Sequence, residues 1–225
     1  MLQSRQLKGP DNNKQTHTMF IIGITGAVAM GKSTVAAYMS EHNIPVHDAD
    51  ACVHELFRSH QEVIGQVGAL FPDVIEDGHV NRKTLSQHVF PNPDNMKQLE
   101  EIVHPRVRQD RNAFVKRHQA IGTPCVVLDI PLLFEANHDS ICNAIVVIAC
   151  DKENQEKRAM RRPGMTKERL QQINHLQMPI EEKMARADYV VRTDGEKEET
   201  YKQLDKILSE LQQKHNFSLN EATYA

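Results

Sequence analysis

Short, continuous apolar runs alternate along this chain with longer segments whose apolar residues recur at helical spacing. A run such as 125–130, which is apolar except for Asp129, is typical of a strand covered on both faces, as in a parallel sheet. Because such strands alternate with helices, the pattern predicts an α/β fold with a parallel sheet. The predicted strands are residues 20–25, 44–47, 125–130, 144–150 and 189–191.

The helical segments have recognisable starts and ends. A glycine-rich turn precedes the first of them, and His42 and Asn43 close it. Asn81 is a suitable N-cap for a short helix, and Asp94 for a much longer one that ends before Gly122. The predicted helices are residues 32–41, 51–71, 81–89, 94–121 and 197–214.

The length of 225 residues favours one compact unit over several domains. Residues 1–18 are polar and lack the apolar segment of a secretory signal, so we expect a disordered extension or a cloning remnant, with Met19 as a natural start. A single domain is predicted over residues 19–214, followed by a loose tail over 215–225.

Composition and charge exclude several classes of partner. A net charge of −3 provides no general basic field for nucleic acid, so anionic ligands must be met by local clusters of Arg and Lys. The longest apolar runs are too short for the roughly 20 residues that span a bilayer. The four cysteines form no C-x-x-C pair, which favours buried thiols in the cytoplasm over a zinc site or disulfides. We therefore expect a cytoplasmic monomer or weak homo-oligomer.

The segment GITGAVAMGKST contains the spacing G-x-x-x-x-G-K-S directly after the first predicted strand. In this pattern, called a P-loop, backbone amides at the start of a helix surround the phosphates of a nucleotide. Lys32 would contact the terminal phosphates, and the Ser33 hydroxyl would hold Mg²⁺. The predicted nucleotide-binding residues are Gly26, Ala29, Met30, Gly31, Lys32, Ser33 and Thr34.

Three acids follow strands that should end at the same edge of the sheet. Asp129 is either a second Mg²⁺ partner or an acid that caps the next turn. Phosphoryl transfer to a hydroxyl requires a carboxylate near the transferred phosphate, and Asp48 is our candidate for this base. Asp50, two residues later, fits a helix cap.

The charged segment KRAMRRPG supplies further candidates. Arg158 and Arg162 stand at i and i+4 on one helix face, and the Pro-Gly pair behind them indicates a hinged flap that closes on the nucleotide. The alternative is a solvated basic face. No N-K-x-D guanine-recognition sequence is present, which argues against a GTPase of the Ras type.

An ordered set of motifs resembles the dephospho-coenzyme A kinase family over residues 19–212. These motifs are TGAVAMGKST, VHDAD, NRKTL, IVHPRV, DIPLLFE, KRAMRR and Gln177. The resemblance implies a P-loop kinase fold with a central parallel sheet flanked by helices, a helical acceptor-binding region near 55–120 and a lid near 152–180. It also implies Mg²⁺-dependent transfer of a phosphoryl group from ATP to the ribose 3′-hydroxyl of dephospho-coenzyme A.

The same resemblance assigns residues to the acceptor. Arg82 and His104 match acceptor positions, and Pro131 and Glu135 lie in the DIPLLFE motif. The basic residues that could receive the acceptor's pyrophosphate are Arg82, Lys83, Arg106, Arg108 and Arg111. Asp48, Arg158 and Arg162 match the family's base and lid positions. The family usually has extra glycines inside the loop, in the pattern G-G-I-G-S-G-K-S, where this chain has Ala27, Ala29 and Met30. The alternatives are another small-molecule or nucleoside monophosphate kinase, and a nucleotide-binding regulator without catalytic activity.

Overall fold

The computed structural model describes residues 19–219. The strands are β1 (Phe20–Thr25), β2 (Val46–Asp48), β3 (Ile75–Glu76), β4 (His79–Val80), β5 (Cys125–Asp129), β6 (Ala144–Ala149) and β7 (Tyr189–Arg192). The main sheet has five parallel strands in the order β2-β5-β1-β6-β7, and β3 and β4 form a separate antiparallel ribbon. The predicted α/β class and parallel sheet are confirmed. Within residues 19–219, no helix has both the length and the apolar composition that crossing a bilayer requires.

Helices flank this sheet and extend beyond one edge of it. They are α1 (Lys32–Glu41), α2 (Ala49–Ser59), α3 (Gln61–Leu70), α4 (Arg82–Val89), α5 (Pro93–Ala120), α6 (Lys152–Met160), α7 (Lys167–Leu176), α8 (Ile180–Arg186) and α9 (Lys197–His215). Short 3₁₀ turns cover Pro72–Val74 and Asp139–Ile141. The bounds of β1 and α1 are those predicted from the sequence.

The core has two parts. One side of the sheet packs against α1 and α9 through side chains such as Met39 and Leu204, and the other side packs against α5 and α8. A separate apolar cluster joins α2, α3, α4 and α5 through Phe57, Val67 and Leu85. This second cluster lets the predicted acceptor region form a packed unit of its own beside the sheet.

Several local predictions differ from the structure. The segment 51–71 is two helices, because the chain turns at His60, whose side chain accepts a hydrogen bond from the Val63 amide at the start of α3. Asn92 rather than Asp94 caps α5. Phe217, placed by the sequence in a loose tail, is buried and stacks on Phe20 with ring centroids 5.0 Å apart. Residues 1–18 and 220–225, expected to be disordered or loose, lie outside the described residues.

Strand register places the candidate chemistry at one edge of the sheet. Asp48 at the end of β2 lies beside Asp129 at the end of β5, and Asp129 lies beside Ile24 near the end of β1. In parallel sheets, ligands bind outside the carboxyl ends of the strands. Since the P-loop begins directly after β1, it meets both acids there.

Candidate active site

A cleft of about 1110 Å³ lies between this edge of the sheet, α5 and the helices α6 and α7. It brings together most of the residues that the sequence nominated. Those lining it are Gly26, Ala29, Met30, Gly31, Lys32, Ser33, Thr34, Asp48, His104, Arg108, Asp129, Pro131, Arg158 and Arg162. Arg82 and Glu135 are not among the lining residues.

The P-loop is shaped by close backbone contacts. A Cβ at Gly26 would lie 2.4 Å from the Ile148 carbonyl oxygen, so only glycine fits there. Gly31 caps α1 with a φ of 92°, in the left-handed region. Residues 31–34 at the start of α1 line the cleft, and the N-terminus of a helix favours an anion there.

Ala29 and Met30, which stand where the family's loop is richer in glycine, line the cleft and also contact neighbouring elements. Ala29 adopts a φ of 61°, which is unusual for a residue with a Cβ, and it packs against Ala159 and Leu170 in the lid helices. The sulfur of Met30 accepts a hydrogen bond from the Cys150 amide at 3.1 Å. The loop is thus tied both to the lid and to the end of β6.

Lys32 and Asp129 form an ion pair at the floor of the cleft, with Nζ 2.5 Å from Oδ1. The Asp129 side chain is 3% exposed, and its burial raises the pKa from 3.8 to about 6 despite the positive charge of Lys32. Asp48 and Asp50 add to this upward shift. The Asp129 carboxylate and the Ser33 hydroxyl line the same cleft and together offer oxygen donors, which are the ligands that Mg²⁺ prefers.

Asp48 is the helix cap, a role that the sequence favoured for Asp50. Its Oδ1 accepts a hydrogen bond from the Ala51 amide at 2.9 Å at the start of α2. This contact fixes the side chain at the end of β2 while leaving the carboxylate exposed in the cleft.

The lid arginines have different surroundings. Arg158 donates to the Thr193 hydroxyl at 2.9 Å and also to the Thr193 carbonyl oxygen, and the same hydroxyl donates to the Met30 carbonyl oxygen at 2.8 Å. Arg158 therefore connects α6 to the P-loop through Thr193. Arg162 lines the cleft, and among residues 19–219 it has no acidic partner.

The opposite wall of the cleft is positively charged. His104, Arg108 and Arg111 lie on one face of α5 at i, i+4 and i+7, and His138 lines the cleft with them. Arg111 is buried, which lowers the pKa of its guanidinium, and it pairs with no acid in the described part of the chain. Burial, followed by the charges of Arg111 and Arg108, lowers the pKa of His138. Such a wall favours an anionic ligand.

Comparisons with known proteins agree with this arrangement. A sequence model described as dephospho-CoA kinase matches residues 20–199. A curated protein of that name from Rhizobium meliloti (strain 1021) is 45% identical over 193 residues, which are 86% of this chain and 98% of that protein. The chain belongs to the dephospho-CoA kinase family.

Solved structures show the same fold for this family member. A Thermus thermophilus protein, TT1252, has a TM-score of 0.73 and 35% identity, covering 86% of this chain and 98% of its own. The dephospho-CoA kinase from Campylobacter jejuni has a TM-score of 0.63 at 22% identity, covering 86% of this chain and 98% of its own, and bears on the fold alone.

Glu135 acts away from the cleft in this family member. Its Oε1 is 2.9 Å from Nζ of Lys183 and accepts a hydrogen bond from the Met178 amide at 2.8 Å. Lys183 is fully buried and also donates to the Pro131 carbonyl oxygen at 3.2 Å. These contacts connect the DIPLLFE loop to Met178, which follows α7, and to Lys183 in α8.

Sequence reasoning missed Lys183 altogether and gave Arg111 only as one of several basic residues. Lys183 stands three residues after Ile180 and next to Met184, both of which pack in the core. Helical spacing from Ile180 therefore places Lys183 on the buried face of the helix, and this was the available signal. Two other basic candidates are engaged elsewhere. Arg82 contacts His54, and Arg106 pairs with Glu62.

Proposed function

We propose that this chain transfers the terminal phosphoryl group of ATP to the ribose 3′-hydroxyl of dephospho-CoA, with Asp48 as the base. The observation that carries the proposal is the position of Asp48, beside Asp129 in the register of β2 and β5 and in the same cleft as Lys32. A carboxylate there shares its cleft with both the P-loop and the basic wall of α5. It would therefore be available to a donor held by the first and an acceptor held by the second.

The donor side is the P-loop. Amides at the start of α1 hold the phosphates, and Lys32 contacts the terminal phosphate, where charge develops during transfer. Mg²⁺, held through Ser33 and Asp129, would neutralise phosphate charge. Arg162 has no acidic partner among the described residues and is available to the same oxygens, whereas Arg158 positions the lid through Thr193.

The acceptor side is the wall formed by His104, Arg108 and Arg111. Dephospho-CoA carries a pyrophosphate, and guanidinium groups bind such anions through paired hydrogen bonds. With the anion held there, the ribose hydroxyl can approach Asp48. The hydroxyl oxygen forms the new bond to phosphorus, the proton passes to Asp48, and the bond to the ADP oxygen breaks.

The transfer is tested by Asp48→Asn, with Asp50→Asn as the matched control. Asparagine keeps an oxygen that can cap α2 but cannot take the proton, so kcat should fall about 10²- to 10⁴-fold. ATP affinity should stay close to that of the unmodified chain, and Asp50→Asn should change kcat little. ADP release is measured against dephospho-CoA and a panel of nucleosides, nucleoside monophosphates and small alcohols.

Two outcomes would count against Asp48 as the base, and two others against the proposed reaction. Near-normal turnover in Asp48→Asn, or a larger loss in Asp50→Asn, would remove Asp48 as the base. Preference for another acceptor in the panel would favour a different small-molecule kinase, and ATP binding without acceptor-dependent ADP release would favour a regulator.

A further inference from the structure

A histidine, a cysteine and an aspartate converge beside the cleft. His47 comes from β2, Cys52 from the first turn of α2 and Asp110 from α5. One donor atom from each, a ring nitrogen, a sulfur and a carboxylate oxygen, lie within 4.8 Å of one another. In the sequence, Cys52 is 5 residues and Asp110 is 63 residues after His47, so no short motif indicates the cluster.

Burial of His47 distinguishes this cluster from a group of polar side chains on the protein surface. Its side chain is 5% exposed, and Nε2 lies 2.9 Å from Oδ2 of Asp110. Its Nδ1 is also buried and has no hydrogen-bond partner among the described residues. Among the described residues, the contact of Nε2 with Asp110 is therefore the one hydrogen bond of this buried ring, and Nε2 is the nitrogen that faces the cluster.

We propose that His47, Cys52 and Asp110 form a binding site for a borderline-soft divalent cation such as Zn²⁺. A nitrogen, a thiolate sulfur and a carboxylate oxygen are the three ligand types of protein zinc sites. The Asp110 side chain is 58% exposed, so water can complete a four-coordinate shell. The sulfur separates this site from the oxygen-only set of Ser33 and Asp129, which suits Mg²⁺.

Binding has a defined proton balance. The cation forms a bond to the Cys52 sulfur, the thiol proton leaves to solvent, and no electrons are transferred. Asp110 exchanges its hydrogen bond with His47 for a bond to the metal. The site does not depend on the proposed kinase reaction, because Asp48 and Lys32 are not ligands, and it can be tested without turnover.

The experiment titrates the full chain with Cd²⁺, a probe for zinc-type sites, in excess Mg²⁺ and without nucleotide. The near-ultraviolet charge-transfer band of a cadmium–thiolate bond reports the thiolate specifically, which separates this site from the many surface histidines. We expect one Cd²⁺ per chain. Cys52→Ser should remove the band, and the matched control Cys142→Ser should keep it.

Asp110→Asn provides a second test, and we expect it to leave folding intact because the side chain is largely exposed. It should weaken Cd²⁺ at least about tenfold, since even partners outside a metal's ligand set alter affinity by about 10- to 100-fold. Absence of the band in the unmodified chain, its survival in Cys52→Ser, or an unchanged affinity in Asp110→Asn would overturn the site. Thermal unfolding of each variant confirms that it is folded.

Discussion

Two lysine–carboxylate pairs with similar distances between their charged atoms lie in different parts of this molecule. Lys32 and Asp129 lie 2.5 Å apart at the floor of the cleft, whereas Lys183 and Glu135 lie 2.9 Å apart behind the cleft wall. Both lysines are mostly or fully buried, with side-chain exposures of 16% and 0%. The contacts around each pair differ, and the difference separates an exchangeable pair from a structural one.

Lys183 has protein acceptors on two sides, since it contacts both Glu135 and the Pro131 carbonyl oxygen. Lys32 contacts only Asp129 within the described residues and faces the cleft. Burial has already raised the pKa of Asp129 to about 6, so this acid is held in its charged form at some cost. We therefore propose that the Lys32 pair exchanges its partners for phosphate and Mg²⁺, and that the Lys183 pair does not.

The largest effect is expected from Lys183→Met. Removing the lysine leaves the mostly buried Glu135 without its counter-charge, and breaking such a pair costs about 3–5 kcal/mol of unfolding free energy. Urea denaturation measures this loss. Lys157→Met is the matched control, because the Lys157–Glu153 pair is exposed and screened by solvent, so its loss should change the free energy of unfolding little. Equal losses in the two variants would mean that Lys183–Glu135 is no structural pair.

Lys32→Met should show the reverse pattern. Loss of a preorganised cation at the terminal phosphate should lower kcat about 10²- to 10³-fold. The free energy of unfolding should change little, because Asp129 can neutralise itself by taking up a proton. Kinetics and urea denaturation on the same preparation provide the measurement. A stability loss as large as that of Lys183→Met would contradict the distinction between the pairs.

The contrast also explains how far the sequence could be interpreted. The P-loop was predictable because its chemistry is local: glycines at fixed spacing, a following lysine and an adjacent strand specify one geometry. The pairing of Lys32 with Asp129 follows from strand order, which the α/β pattern restricts. Lys183 and Glu135 are 48 residues apart, so only the folded chain brings them together.

Other contacts could not be predicted from the sequence for the same reason. Arg82 and Arg108 both looked suitable for an anion, yet Arg82 contacts His54 while Arg108 faces the cleft. The direction of a side chain depends on how its helix is rotated against its neighbours. Helical spacing gives the faces of a helix but not the partner of each face.

Glu135→Gln tests the acid of the structural pair and should have an intermediate effect. The amide oxygen can still accept hydrogen bonds from the Met178 amide and from Nζ of Lys183, so only the opposite charge is lost, at a cost of about 1–3 kcal/mol. Urea denaturation again supplies the value, with Asp129→Asn as the comparison. We expect Asp129→Asn to be the less destabilising of the two near neutral pH, because it removes a carboxylate whose ionisation burial opposes. The reverse order would show that Asp129 is the more firmly paired acid.

The smallest effect concerns pH and the exchangeable pair. Asp129 has a pKa of about 6, raised chiefly by burial, so lowering the pH from 7 to 5 protonates most of it. The contribution of the ionised carboxylate to Mg²⁺-dependent nucleotide affinity should then fall about tenfold, or about 1.4 kcal/mol. Titration calorimetry at several pH values measures this change. Asp129→Asn corrects for protonation of the nucleotide itself, and an equal pH dependence in both proteins would exclude Asp129 from the metal site.

The same protonation affects folding in the opposite direction. The pKa of Asp129 is higher in the folded chain than its usual 3.8, so the folded chain binds this proton more tightly. The resulting contribution to the free energy of unfolding is complete below pH 3.8 and is lost as the pH rises through about 6. Acidification toward pH 5 thus weakens Mg²⁺ binding while strengthening this contribution to folding. A loss of affinity caused by partial unfolding would instead be accompanied by a lower unfolding midpoint. Measuring both quantities across the same pH range therefore distinguishes protonation of Asp129 from damage to the fold.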